Sequence, residues 1–328
     1  MIITLLVGAI ALATVFLFGC VGEIITEKAG HLNLGIPGIM CAGTAGGCLG
    51  VSLYMNSLAS ASDASWFLLV FYSVMLSFIF ALCLGAIYAF LTVTLRCNQN
   101  ITGLAITIFG SGLTQFVMDT YVLPASITNQ PLFEAAGKMI SKGLPFADKL
   151  GWFGEIFLSH GILVYLGIVI ALITAFVLNR TRLGLHLRAI GENPATADAA
   201  GINVTAYKYC AILIGSGIAG IGGLFYIMDY IKGSWENAYT IEAFGWLSIA
   251  LVIFTLWKPN LSIIGSILFA GLYIAAYVMS GISSVQRELL KMLPYVITVI
   301  VLIITSIRDS RENQPPAALG LPYFREER

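Results

Sequence analysis

Charge is scarce. Only 34 of the 328 residues are charged, 17 Lys+Arg and 17 Asp+Glu. A soluble chain of this length would carry roughly 80. With 58% apolar residues and a mean hydropathy of +0.90, there is too little polar surface to coat a water-soluble body. A soluble metabolic enzyme and a disordered chain are therefore excluded. The zero net charge supplies no basic field for nucleic acid.

Chemistry-bearing patterns are equally sparse. The six cysteines include no CxxC pair, and the three histidines (His31, His160, His186) stand alone, so no metal site is expected. There is no P-loop: Gly137-Lys138 is followed by Met139 and lacks the upstream glycine. ATP is not bound here through that motif, and no cofactor is expected in this chain. The run Gly215-Ser216-Gly217-Ile218-Ala219-Gly220 spells GxGxxG. It lacks a preceding strand and an acid about 20 residues on, so it reads as small-residue helix packing. Gly43, Gly46, Gly47 and Gly50 read the same way.

What is present is length without charge. Nine charge-free stretches occur: 2–22, 29–62, 64–95, 97–118, 156–179, 209–228, 243–257, 259–286 and 292–307. About 20 apolar residues cross a hydrocarbon core. Open sheet edges cannot sit in lipid, and the period-two alternation of a barrel is missing, so the spans are helices. The fold class is an all-α polytopic membrane protein with about nine (8–10) transmembrane helices. The spans are placed near 2–22, 36–58, 66–95, 101–123, 156–178, 208–229, 242–257, 260–281 and 292–307. Residues 1–307 form the membrane domain and 308–328 a solvated tail. Residues 120–155 are expected to be a long outer loop. The first stretch has no basic start and too long an apolar core for a cleaved signal, so it reads as a span.

Numbering loops alternately puts eleven Lys and Arg on one side (Lys28, Arg96, Arg180, Arg182, Arg188, Lys208, Lys258, Arg308, Arg311, Arg325, Arg328) and six on the other. The positive-inside rule makes the first side cytoplasmic. The helix-breaking run Gly30–Gly38 could make the second span broken or re-entrant, which would shift the count by one.

The acids Glu23, Asp119, Glu155, Asp229 and Glu242 lie at helix ends, not deep in spans. An ion-coupled carrier places carboxylates deeper. A channel, or a subunit powered by a partner, remains. An intramembrane transferase would need convergent acid–base groups, and nothing pairs Asp119, Asp229 and Glu242.

The loop 179–208 is the most informative segment. Asn193 is an N-cap, Pro194 fits the first helical position, Asp198 is acidic near the start, and Gly201 stops a helix over 195–200. An Ala-rich helix binds membrane weakly, which favours docking of a cytoplasmic protein over a linker on the bilayer. Elsewhere, Ser111, Gln115 and Asp119 recur at spacing four and share one helix face. They form a polar stripe that either bonds between helices or lines a path. The irregular stretch with Asn33, Gly35 and Gly38 is a second candidate lining. So few interior charges suit a neutral solute rich in hydroxyls or a heterocycle.

Leu185-His186-Leu187-Arg188-Ala189-Ile190-Gly191-Glu192-Asn193-Pro194, followed by Ala199-Ala200-Gly201-Ile202-Asn203, resembles the coupling segment of ABC-importer permeases of the ribose, branched-chain amino acid and nucleoside branch. Glu27–Met40 resembles the signature after the first span in the nucleoside or simple-sugar subgroup, with His31 where Val is commoner and Pro37 where Glu is commoner. The resemblance implies a type II importer-like bundle in the bacterial inner membrane. It implies a cytoplasmic ABC ATPase, holding ATP-Mg, docked on Arg188, Gly191, Glu192, Asn193, Pro194, Asp198, Ala200 and Gly201. A second permease subunit, identical or homologous, and an extracytoplasmic binding protein or lipoprotein are the other implied partners. Nucleosides are the expected solute, with a simple sugar such as ribose as the alternative.

Overall fold

The computed structural model describes residues 2–58, 60–145, 147–278, 281, 283–308 and 314–324. Among these residues there are helices and no strands. The first half of the chain forms α1 (Ile2–Lys28), α2 (Ile36–Asn56), α3 (Trp66–Ala89), α4 (Gln99–Val117), α5 (Leu123–Ile140), α6 (Gly151–Phe157) and α7 (Ile162–Arg180). The second half forms α8 (Arg182–Glu192), α9 (Pro194–Ala199), α10 (Val204–Phe225), α11 (Tyr239–Phe254), α12 (Pro259–Val278), α13 (Ser284–Lys291) and α14 (Leu293–Arg308). Among the described residues seven helices are long and apolar enough to cross a membrane: α1–α4, α7, α10 and α12. The helices α11 and α14 are apolar but have 16 residues each, roughly 24 Å at 1.5 Å per residue.

The bundle is organised around α2 and α10, in whose apolar stretches 89% and 78% of the residues are buried, against 28% in that of α3, which carries much of the outer wall. Lipid gives helices no hydrophobic reason to associate, so close backbone approach supplies the contact. The glycines do this. A Cβ on Gly22 or Gly215 would overlap the facing carbonyl where α1 crosses α10. Gly43 meets Gly220 where α2 crosses α10, and Gly38 meets Gly110 where α2 crosses α4. The GxGxxG run is thus a packing surface.

Charges sort to two ends. Lys28 lies within electrostatic reach of Arg188, Glu192 and Lys258 at one end. At the other, Lys232 backs onto Gly137, and Arg287 and Lys291 stand over the Tyr277 ring.

Four sequence expectations change. Residues 120–155 are not a loop: a π-helical turn at Met118–Val122 carries α4 into α5, and α6 follows. Pro124 lies in the first turn of α5, where no N–H is needed. The first helix does not stop at residue 22 but runs to Lys28, because its buried acids find partners. The Gly30–Gly38 stretch is a turn followed by an uninterrupted α2, not a re-entrant element. The C-terminal segment, where described, is docked rather than solvated: Pro316 and Ala318 are buried.

Candidate functional site

The α8–α9 pair is built by its own capping groups. The Thr181 hydroxyl accepts from Gly184 N–H at 3.2 Å and starts α8. Asn193, in an extended conformation, ends α8 and starts α9, its side chain accepting from Thr196 N–H at 3.0 Å. Pro194 occupies the first turn. Gly201 closes α9 at φ +82°. Its N–H donates to Asp198 O at 2.9 Å and that of Ile202 to Ala197 O at 3.1 Å, the Schellman arrangement that only a left-handed residue completes cheaply. Ile190, Ala197 and Val204 form a small separate core beneath, with Ile202, Tyr207 and Tyr323 against it. His186 Nδ1 and Tyr207 Oη lie 2.8 Å apart and pin α8 to α10.

The exposed side of this pair carries Arg188, Glu192, Asn193, Ala200 and Gly201, with Leu183 and Leu185 also exposed. Pro194 and Asp198 are half-buried. Gly191 faces inward. A Cβ there would overlap Lys28 O, and its carbonyl accepts from Ala318 N–H at 2.9 Å. Gly320 N–H donates to Gly30 O at 3.2 Å. The Tyr323 hydroxyl donates to Asp198 Oδ2 at 2.9 Å. Thus the C-terminal segment ties the α8–α9 pair to the end of α1.

The turn between α1 and α2 has most of its backbone polar groups bonded by side chains, while the His31 ring and the Asn33 Nδ2 have no partner. Asn33 N–H donates to Glu23 Oε1 at 2.9 Å, Leu32 N–H to Gln99 Oε1 at 2.8 Å, and Gly35 N–H to Asn33 Oδ1 at 3.0 Å. Tyr88 and Thr107 hydroxyls donate to Leu32 O and Leu34 O at 2.7 and 2.8 Å. Glu27 accepts from the Trp257 indole. Asn33, Gly35 and Gly38 are buried against neighbouring helices and hold the bundle together. Ser111, Gln115 and Asp119 instead form a stripe on the surface of the chain. Ser111 and Gln115 are half-buried and Asp119 is exposed. Gln115 Nε2 donates to Asp119 Oδ2 at 2.8 Å, and the Ser111 hydroxyl to Ile108 O at 3.2 Å. Around them α4 exposes Ile101, Leu104, Ile108, Phe109 and Phe116. Among the described residues no three His, Cys, Asp or Glu side chains gather as a metal site.

A multi-pass apolar bundle with a capped helix pair at one end can be compared with known proteins. Residues 5–302 match the family described as the branched-chain amino acid transport system permease component. The chain belongs to this family. It is an ABC transporter permease and a multi-pass protein of the cytoplasmic membrane. It is 33% identical to a putative glucose ABC transporter permease, TsgC13 of Haloferax volcanii, over 81% of this chain and 74% of that one. It is 31% identical to the nucleoside ABC transporter permease NupC of Lactococcus lactis, over 88% of each. It is 26% identical to the guanosine ABC transporter permease NupQ of Bacillus subtilis, over 94% of this chain and 92% of that one. No solved structure matches it significantly.

Sequence reasoning missed the inward partners of this permease: Glu23, Glu27, Gln99, Trp257 and Tyr323. Only Glu23 and Glu27 left a signal, two acids one turn apart at the end of an apolar run. Gln99, Trp257 and Tyr323 join through contacts 67 to 230 residues away in sequence, which no local pattern encodes.

Proposed function

We propose that this permease is one membrane subunit of an ATP-driven importer that carries nucleosides into the cytoplasm. The observation that supports this best is the α8–α9 pair: a six-residue helix capped at both ends, exposed on one side and tied by backbone to α1 on the other. The end bearing it is cytoplasmic, in keeping with the excess of Lys and Arg there. An ABC ATPase docks on its exposed face through Arg188, Glu192, Asn193, Ala200 and Gly201. ATP-Mg binds that partner, and this chain brings no cofactor of its own. Gly191, Pro194 and Asp198 hold the shape of the face.

The stripe Ser111–Gln115–Asp119 faces a second permease subunit across the solute path. A carboxylate turned to lipid at mid-depth costs about 3 kcal/mol, so an exposed Asp119 belongs where water or a partner meets it. An extracytoplasmic binding protein delivers the solute and carries the selectivity. The nucleoside assignment leans on relatives named as nucleoside and guanosine permeases; the relative named as a putative glucose permease supports the sugar alternative. Uptake of labelled uridine and adenosine by cells with and without this gene decides between them. Gene-dependent uptake competed by nucleosides and not by ribose or glucose is expected. Competition by a sugar alone overturns the nucleoside reading and leaves the importer intact.

A further inference from the structure

A cavity of about 360 Å³ opens at the α8–α9 end, between the α1–α2 turn, the end of α3, the start of α10 and the C-terminal segment. Among the described residues its lining gathers Lys208, Arg96 and His31 against one acid, Asp198. Lys208 is 2% exposed, and no described residue gives it a hydrogen bond or an ion pair. Burying an ammonium unpaired is costly, so its position in a cavity wall calls for an anion that the described residues do not supply. His31 is 1% exposed, and neither ring nitrogen has a partner. Arg96 completes the group, held at φ 58° with its guanidinium 4.7 Å from the Phe324 ring. Val204 and Thr205 also line the cavity. Their backbone N–H groups are the first of a 22-residue helix and have no acceptor within it.

Among the described residues the one carboxylate on the wall is Asp198, and its Oδ2 accepts the Tyr323 hydroxyl at 2.9 Å. Burial holds the His31 imidazole down at about 3, so the ring is neutral at pH 7 and offers one donor and one acceptor.

We propose that this cavity binds a phosphate-bearing anion, with Lys208, Arg96 and the first N–H groups of α10 on its oxygens and His31 as a hydrogen-bonding partner. A point charge, a planar fork and a helix N-terminus together suit a tetrahedral oxyanion with several acceptor oxygens. The volume exceeds what inorganic phosphate fills, leaving room for a small organic group such as a sugar. A lipid headgroup presents the same phosphate chemistry, so the test separates the two sources. The inference is independent of which solute the permease carries.

The test uses the full chain purified in neutral detergent without phosphate. Calorimetric titration with inorganic phosphate, and separately with adenosine monophosphate, is run on wild type, Lys208→Gln, Arg96→Gln and, as a distant control, Lys291→Gln. Saturable one-site binding is expected in wild type and Lys291→Gln. It should weaken about tenfold or more in the other two, the worth of one charge-assisted hydrogen bond. Matching elution and melting profiles establish that each variant is folded, and Arg96→Gln keeps the test open if Lys208→Gln is not. If neither probe binds, native mass spectrometry looks for a co-purified anionic phospholipid: one retained by wild type and lost in the variants assigns the phosphate to lipid and supports the site. Absence of both, or binding unchanged in both variants, overturns it.

Discussion

Replacement of Gly201 isolates what the capped helix contributes to coupling. The residue stands at φ +82°, and nothing lies within 4 Å of where a Cβ would sit, so a substitution acts through the backbone and not by crowding. Alanine in the left-handed region costs about 1–2 kcal/mol. Proline locks φ near −65° and removes the N–H that donates to Asp198 O at 2.9 Å, a cost of about 3 kcal/mol or more. Six residues cannot hold a helix by themselves, so α9 depends on its caps and on Ile190, Ala197 and Val204 below. The Asn193 cap is worth about 1 kcal/mol and acts on the same helix, so Asn193→Ala and Gly201→Ala should not be additive. The assay is the reconstituted transporter, measured for solute uptake and for the ATP hydrolysis that solute stimulates. Gly201→Ala should lower both roughly fivefold, in line with about 1 kcal/mol of lost local order. Gly201→Pro should nearly abolish both, with subunit assembly and membrane-domain melting as in wild type. Wild-type coupled hydrolysis in an assembled Gly201→Pro transporter refutes the reasoning and leaves the segment a passive turn.

Trp257→Phe removes the indole that donates to the 2% exposed Glu27; losing this donor to a buried carboxyl should destabilise the permease by about 1–3 kcal/mol, read as a lower melting temperature in detergent. Gln115→Leu deletes the 2.8 Å bond to Asp119 and should lower uptake about tenfold without changing membrane insertion, whereas unaltered uptake removes the stripe from the path. His31, held at about 3 against an ordinary 6.5, has its pKa depressed on folding. Its contribution is therefore complete above pH 6.5 and is lost as pH falls toward 3, amounting to about 2 kcal/mol at pH 5 in phosphate-free buffer. Thermal melting between pH 7 and 5 should show this loss, and His31→Gln should flatten the profile.

The membrane character of the permease was legible because it rests on averages: charge gaps long enough for spans, and a bias of Lys and Arg between alternate loops. The caps of α9 were legible because Asn193, Pro194 and Gly201 act within a few residues of themselves. Three kinds of feature were not. The helix α5 was hidden by Pro124 and by a polar composition that resembles a loop, although proline in a first turn costs nothing. The inner end of α1 was hidden by Glu23 and Glu27, whose burial is tolerated only because Asn33 N–H and the Trp257 indole reach them from other segments. The tail looked solvated because Pro315, Pro316 and Pro322 exclude a helix. Its hold comes from a turn over 317–320 whose backbone bonds to Gly30 and Gly191, contacts that leave no periodicity in the sequence.

Those long-range contacts give the helix pair something to push against. Gly191 brings α8 against Lys28 O at the end of α1, closely enough that no side chain fits between them. One turn earlier, Glu23 accepts from Asn33 N–H at 2.9 Å, and this residue leads into α2. Two residues into α2, Gly38 presses on Gly110 of α4, one position before Ser111 in the polar stripe. Two of these joints are direct backbone contacts, and the third runs through a Glu23 side chain held by full burial, so displacement of α8 is carried more than absorbed. The C-terminal segment closes the near end of this route by bonding to both Gly30 and Gly191. A docked ATPase that moved α9 would therefore move the turn between α1 and α2 with it, and the first crossing to feel the change would be the one beside the stripe.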